Sequence, residues 1–325
     1  MSGSVSLPDG VRDVLRCPRC GAPLVDATAG LHCSSTSCGA KYPIISGVPI
    51  LVDETTSVLS LADYGGGSRV LAEPPPRSLF RRWAGAAYRL LPDVDRNVAS
   101  AANYSRFAGL LLKTSRSPRV LVVGGREVGK GLTELLKSGR LEFVETDIDF
   151  GPRTRIVCDA HQLPFDSGSM DGVIVQAVLE HVLDPHRCVR EIHRVLRPDG
   201  LVYAETPFLY RRHGGPFDFT RFTLLGHRRL FRQFAEVASG AAVGPGVALA
   251  LAYTGFLLSL ANRRPIRAAL RVFGRLTSFW LKYLDPWLVQ REAALDSAAG
   301  FYFMGRRSDT TLTDRELVAG FRGMR

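Results

Sequence analysis

The sequence predicts an α/β protein built on a doubly wound parallel sheet, and three observations carry that prediction. Between residues 119 and 208, short β-branched apolar runs alternate with helical patterns. The first run, Val120–Val123, ends in a cluster of glycines at Gly124, Gly125, Gly129 and Gly131. A second strand, "LEFVETDID", delivers Asp147 about twenty residues beyond the first strand. Strands covered by helices on both faces read as unbroken apolar runs. A glycine turn lets backbone approach a nucleotide closely, and an acid at that offset can accept both ribose hydroxyls.

At 325 residues the chain has room for one such domain and a smaller module. Its 46% apolar and 22% charged residues are ordinary for a globular protein. No N-terminal stretch pairs a basic region with an apolar run and a small-residue cleavage site, which predicts a cytoplasmic protein. The net charge of +11 is uneven, because residues 205–325 carry 18 Lys+Arg against 9 Asp+Glu. The basic excess belongs to the C-terminal third, where it suits a polyanion or an anionic membrane surface.

From the N-terminus, four of the six cysteines crowd into Cys17, Cys20, Cys33 and Cys38, spaced C-x2-C-x12-C-x4-C. Thiolates on two short glycine-containing turns suit tetrahedral zinc. A disulfide pair is the alternative, although nothing suggests an oxidising compartment. Cys158 and Cys188 read as small buried hydrophobes. With its "CPRC" turn and the ending "YPIISGVPIL", Tyr42 to Leu51, this stretch resembles the small zinc-ribbon proteins that accompany or activate methyltransferases. The resemblance covers residues 1–55 and implies a structural or partner-binding module with no chemistry at the metal.

Residues 56–95 read as linker and lead-in. Three glycines and three prolines in "DYGGGSRVLAEPPPRS" keep that stretch out of packed elements. One or two amphipathic helices, broken at Pro92, follow and lead into the second domain, residues 96–310. There "RIVCDAHQLPF" is a third strand closing on Asp159, and "MDGVIVQAVLEHV" a fourth. "EIHRVLRPDGLVYAETPF" reads as a helix, a Pro-Asp-Gly turn and a fifth strand. "FAEVASGAAV" and "GFYFMGRR" are the sixth and an antiparallel seventh, with a helical insertion, 246–298, between them; residues 311–325 form a tail.

Residues 119–208 resemble the class I S-adenosylmethionine-dependent methyltransferases of the type 11 kind. The motifs that carry this are Asp159-Ala160, Leu163-Pro164-Phe165, Leu179-Glu180-His181-Val182, Asp184-Pro185 and the run Glu191 to Gly200. The resemblance implies a Rossmann-like, seven-stranded sheet with Gly124, Gly125 and Gly129 in the turn beside the methionine moiety. It also implies Asp147 at the ribose, Asp159 and Ala160 at the adenine, and Gln176 beneath the cofactor. Two positions depart from the pattern: Val122 stands where an acid is usual, and Arg126 where a third glycine is common. The N-terminal module is expected to fold by itself, so that losing Cys17 would leave cofactor affinity largely intact.

Ligands in such sheets bind outside the carboxyl ends of the strands, which places Glu180 and His181 near the cofactor. His181 reads either as a packing residue or as a general base, the latter needed only where the acceptor must lose a proton. The loop "FLYRRHGGPFDFTRFT", residues 208–223, is similar to an acceptor-side segment of the same methyltransferases, which makes His213 and Asp218 candidate acceptor-facing groups. A simple Asp218–Arg221 pair bracing the loop is the alternative. In the insertion, Gly246–Ala261 is uncharged but too short to be read as a span. Arg267, Arg271 and Arg275 then recur every four positions beside aromatics, a pattern that suits a membrane-surface element, a cap or a dimer contact.

The leading functional reading is methylation of a small-molecule, glycan or lipid-linked acceptor, with peripheral contact to the inner face of the membrane through residues 246–290. An RNA methyltransferase with a zinc-binding N-terminal module is a second reading, and a non-catalytic cofactor-binding module a third.

Overall fold

The computed structural model describes residues 7–28, 30–64, 91–129 and 131–324. The glycine- and proline-rich stretch after residue 64 and the first amphipathic segment, up to residue 90, lie outside the described residues. Eleven strands are described: β1 (Leu24–Ala27), β2 (Gly30–Cys33), β3 (Lys41–Ile45), β4 (Val48–Leu51), β5 (Arg119–Val123), β6 (Glu142–Asp147), β7 (Ile156–Cys158), β8 (Met170–Gln176), β9 (Leu196–Pro207), β10 (Phe234–Val243) and β11 (Gly300–Arg307). They form one sheet in the order β1-β2-β3-β4-β7-β6-β5-β8-β9-β11-β10.

The central part is the predicted doubly wound sheet. Parallel pairs join β5 to β6 and β8, β6 to β7, and β8 to β9, while β11 runs antiparallel to both β9 and β10. The strand order reverses between β5 and β8, which opens a crevice at their carboxyl ends. Alternate residues of β5 feed different cores. Val120 and Val122 pack under the helix Ser100–Leu111 with Tyr104 and Phe107, whereas Leu121 and Val123 pack on the other face with Val189 and Ile192 of the helix Pro185–Val195. That second helix starts where its sequence says it should. Asp184 accepts the Arg187 N–H as N-cap, and Pro185 occupies the first turn, where a missing N–H costs nothing.

The Pro-Asp-Gly turn predicted before the fifth strand is instead an irregularity inside β9. Met170 faces Leu196 and Gly172 faces Leu201, so the intervening residues bulge outward, with Asp199 at φ 59°.

The N-terminal module does not stand apart. Its β3–β4 hairpin turns at Ser46-Gly47, both with positive φ (53° and 80°), as a two-residue hairpin loop requires. β4 then pairs in parallel with β7, Ile50 opposite Val157 and Leu51 opposite Cys158, and so extends the central sheet. Leu15 bridges Phe165, the Arg16 N–H donates to the Pro164 carbonyl at 2.9 Å, and the Arg16 guanidinium pairs with Asp166 at 2.6 Å. Leu15, Leu31 and Tyr42 share one core with Leu121 and Val173.

Between β10 and β11 lie the helices Pro245–Ser259 and Arg264–Ser278, followed by shorter turns ending at Ser297. The fully buried Asp285 carboxylate accepts the Gly246 and Val247 N–H groups, at 2.7 and 3.1 Å, and so satisfies two orphan donors of the first helix. Among the described residues, no helix is long and apolar enough to cross a membrane. Leu249, Phe256, Leu260, Ile266, Phe273, Trp280 and Trp287 are nevertheless exposed on the insertion.

Candidate active site

Two cavities open at the carboxyl ends of the central strands and share Gly124, Glu127 and Ala177. The first, about 330 Å³, is walled by Val123 and Gly124 after β5, Asp147 at the end of β6, Asp159 and Ala160 after β7, and His181. The second, about 430 Å³, is walled by Gly129, Gln176, Glu180, Glu205, Tyr210 and His213.

The glycine turn is set by close approach. Gly124 has φ +77°, and a Cβ there would collide with the Val178 methyl; a Cβ on Gly129 would collide with the Gln176 amide oxygen. Gly125 lines neither cavity but packs tightly behind the turn against Glu145, its N–H donating to the Thr146 carbonyl at 2.8 Å. Asp147 is held by two backbone donors: the Arg126 N–H reaches its Oδ2 and the Asp149 N–H its Oδ1, both at 3.1 Å. Burial raises the Asp147 pKa against the pull of those two bonds.

Arg126, one of the departures from the family pattern, turns its side chain onto the fully buried Asp149 at 3.1 Å and leaves its backbone N–H to Asp147. Val122, the other, is buried under the helix Ser100–Leu111, so this position presents no polar group to the crevice.

Asp159 accepts from His161 Nδ1 at 2.5 Å, from the His161 N–H at 2.9 Å and from the Ser57 hydroxyl. Burial pushes its pKa up, but the bonds from His161 and Ser57 prevail and hold it below the ordinary value. His161 Nε2 accepts the Asp184 N–H at 3.0 Å, so the proton of this neutral ring lies on Nδ1. Ser57 follows the N-terminal module, and its neighbours Val58 and Leu59 line the first cavity. No local pattern in the sequence marked them, because their role comes from the β4–β7 pairing.

Gln176 lies in the second cavity rather than the first. Its Oε1 accepts from the Tyr104 hydroxyl at 3.1 Å and its Nε2 donates to Glu205 at 2.7 Å. Asn97 Nδ2, at 2.8 Å, and the Tyr203 hydroxyl also reach Glu205. The sequence reading missed this buried carboxylate, although an acid three residues from the end of the fifth-strand stretch "YAETPF" could have signalled it.

Glu180 is fully buried and borders the second cavity, between His213 of that cavity and His181 of the first; His213 Nε2 lies 3.4 Å and His181 Nε2 3.7 Å from its Oε1. The neighbouring Glu180 carboxylate is the main cause holding the His213 pKa above its ordinary value. Asp218 lines neither cavity. It forms a two-pronged ion pair with Arg221 and accepts the His213 N–H at 2.7 Å, and the Arg221 bond lowers its pKa to about 2. Its place is that of a loop brace, not of an acceptor-facing group, because the guanidinium occupies both of its oxygens.

Outside the lining of both cavities, the sulfurs of Cys17, Cys20, Cys33 and Cys38 all lie within 4.8 Å of one another. Cys17–Cys38 is 3.8 Å and Cys20–Cys33 3.3 Å, longer than the S–S bond of about 2.05 Å, and all four stand as free thiols in this structure. A tetrahedral ion with bonds of about 2.3 Å holds its sulfurs about 3.8 Å apart, so the cluster fits zinc. The Tyr42 hydroxyl lies 3.1 Å from the Cys17 sulfur, where it can steady that ligand.

A methyltransferase-domain family matches residues 129–204. An uncharacterized chloroplastic methyltransferase of Arabidopsis thaliana is 30% identical over 220 residues, covering 60% of this chain and 62% of its own. The mitochondrial arginine-hydroxylase NDUFAF5 of Mus musculus is 28% identical over 198 residues, covering 57% and 50% respectively. The chain thus spans between half and two thirds of the length of these two relatives. Among solved structures, phosphoethanolamine N-methyltransferase 2 of Haemonchus contortus, in complex with phosphomonomethylethanolamine and S-adenosylhomocysteine, is 14% identical at a TM-score of 0.40, covering 66% of this chain and 55% of its own. The family match spans β6, β7, β8, the helix Pro185–Val195 and most of β9, a stretch that includes Asp147, Asp159, Ala160, Gln176 and Glu180, so residues 129–204 of this chain resemble a methyltransferase domain.

Proposed function

We propose that the protein methylates a small-molecule, glycan or lipid-linked acceptor, with S-adenosylmethionine in the first cavity and the acceptor in the second. The observation that carries this reading is the shared wall: Gly124 and Ala177 border both cavities, so ligands in the two would meet there. Asp147 would take the ribose hydroxyls, Asp159 and Ala160 the adenine, and the Gly124 turn the methionine end, where the absence of a side chain leaves room. The cofactor supplies a methyl group on a sulfonium, already a strong electrophile. The protein's part is alignment, which supplies much of the rate in such transfers. Glu205, Gln176 and Tyr210 would orient the acceptor, with Glu180, His181 and His213 at the junction. Incubating the purified protein with methyl-labelled S-adenosylmethionine and separate lipid, glycan, small-molecule and RNA fractions tests the reading; label entering only RNA would replace it with the RNA alternative.

Zinc on the four cysteines would serve structure, since the cluster lies outside both cavities. Ser57 ties that module to the adenine acid. Ser57→Ala is expected to lower S-adenosylmethionine affinity about two- to tenfold by calorimetry, the range for one hydrogen bond.

The exposed Leu, Phe and Trp side chains of the insertion, beside exposed Arg267 and Arg271, favour a peripheral contact with an anionic membrane. Arg275 is turned inward to Asp93 at 3.3 Å, which removes it from the expected basic row. Co-sedimentation with phosphatidylserine vesicles is expected. Arg267→Gln and Arg271→Gln should each weaken it by about 1 kcal/mol, whereas no sedimentation of the unmodified protein would leave the patch as a cap or a contact between copies.

A further inference from the structure

The geometry points to a second metal site in this chain: Glu180, His181 and His213 bind one first-row divalent cation where the two cavities meet. Each offers one ligand atom, and the three atoms lie within 4.8 Å of one another. Glu180 is completely buried, and among the described residues neither of its carboxylate oxygens has a hydrogen-bond partner. Such a charge is unfavourable inside a protein unless something compensates it. The imidazole nitrogens at 3.4 and 3.7 Å make ion-pair contacts without completing hydrogen bonds. The 3.4 Å separation matches a cation bridging the atoms, and the 3.7 Å one exceeds it slightly, since metal bonds of about 2.0–2.2 Å place neighbouring ligand atoms about 3–3.5 Å apart.

The two histidines are oriented as ligands. His181 Nδ1 faces the Phe217 carbonyl at 2.5 Å, and His213 Nδ1 faces the Arg211 carbonyl at 3.3 Å. Each ring therefore carries a proton on Nδ1 and turns Nε2 toward Glu180, so that an ion could replace any Nε2 proton, the arrangement in which a backbone acceptor fixes a metal-binding imidazole. Gly214 makes the approach feasible, because any Cβ there would strike the His181 ring. The Asp218–Arg221 pair and the bonds from the Phe219 and Thr220 N–H groups to the Glu180 carbonyl lock the loop that carries His213.

Two imidazoles and a carboxylate select zinc, manganese or iron(II) over magnesium or calcium, which prefer all-oxygen sites. Three protein ligands leave a position open, and Glu180 and His213 both border the second cavity. There the ion would polarise an acceptor oxygen and favour its deprotonation. That role rests on the methyl-transfer reading above, but metal binding does not.

The test is a manganese(II) titration of the full chain, with the four-cysteine module zinc-loaded, read by loss of the free-ion paramagnetic resonance signal. Manganese avoids thiolate sites, so it reports this cluster. The expected result is about one ion per chain, displaced by zinc, with affinity lowered at least tenfold in Glu180→Gln, His181→Gln and His213→Gln. An undiminished free signal with the unmodified protein overturns the proposal. So does equal manganese affinity in all three variants. Calorimetry with S-adenosylmethionine on the same samples separates the two ideas, because loss of manganese binding with cofactor affinity retained belongs to this site alone, and lack of cofactor binding in the unmodified protein counts only against methyl transfer.

Discussion

Asp147→Ala is expected to weaken S-adenosylmethionine binding by about 1.5–3 kcal/mol, the range for hydrogen bonds to a charged group. By calorimetry that is a loss of between about tenfold and 150-fold. The two backbone donors that fix this carboxylate also aim it, so the alanine variant loses a positioned acceptor rather than a mobile one. Asp149, two residues on, is the control. It is fully buried against Arg126 and accepts the Phe150 N–H at 2.8 Å, away from the first cavity. Asp149→Asn is expected to lower the melting temperature with a much smaller change in affinity. Unchanged affinity in Asp147→Ala would remove the ribose assignment.

Cys17→Ser is expected to lower the stability of the whole domain and to reduce S-adenosylmethionine affinity at least tenfold. The sequence alone suggests a module that fails by itself, but the structure leaves no seam along which it could. Cys17 is buried in the core that also contains Leu121 and Val173, and the chain leaving β4 supplies Ser57, Val58 and Leu59 to the first cavity. A structural zinc site contributes its binding free energy to folding, about 10–16 kcal/mol in isolated zinc-finger peptides, so the loss of one ligand is amply large to loosen what it holds. Thermal melts monitored with and without a chelator, followed by calorimetry, check this. Melting of the N-terminal strands with cofactor affinity intact would restore the independent-module picture.

What the sequence made legible were features set by neighbours along the chain. The apolar runs of β5 and β8, the sixth and seventh strands at 234–243 and 300–307, and the insertion between them follow from periodicity and from the uncharged stretch that Gly244-Pro245-Gly246 interrupts. Asp147, Asp159 and Ala160 fell at strand ends for the same reason, and the structure puts all three in one cavity. Features set by distant partners were not legible. The pairing of β4 with β7 requires knowing which edge is free, and the placement of Ser57 depends on that pairing. Asp218 looked equally able to face an acceptor or to brace its loop until Arg221 was found on both of its oxygens. Glu205 was passed over because two of its partners, Asn97 and Gln176, come from separate, distant segments.

The β4–β7 pairing also bears on how the protein survives stress. β7 is only three residues long and fully buried, and without β4 it would be the outer strand of the parallel sheet on that side. An uncovered strand edge of apolar residues is a template for pairing with another chain. If zinc holds the four cysteines, its loss would uncover that edge together with Leu15, Leu31 and Tyr42, all of which are buried in the intact protein. Oxidation of the cysteines would therefore register as self-association before it registered as lost secondary structure, so turbidity or light scattering should rise ahead of the far-ultraviolet circular dichroism change.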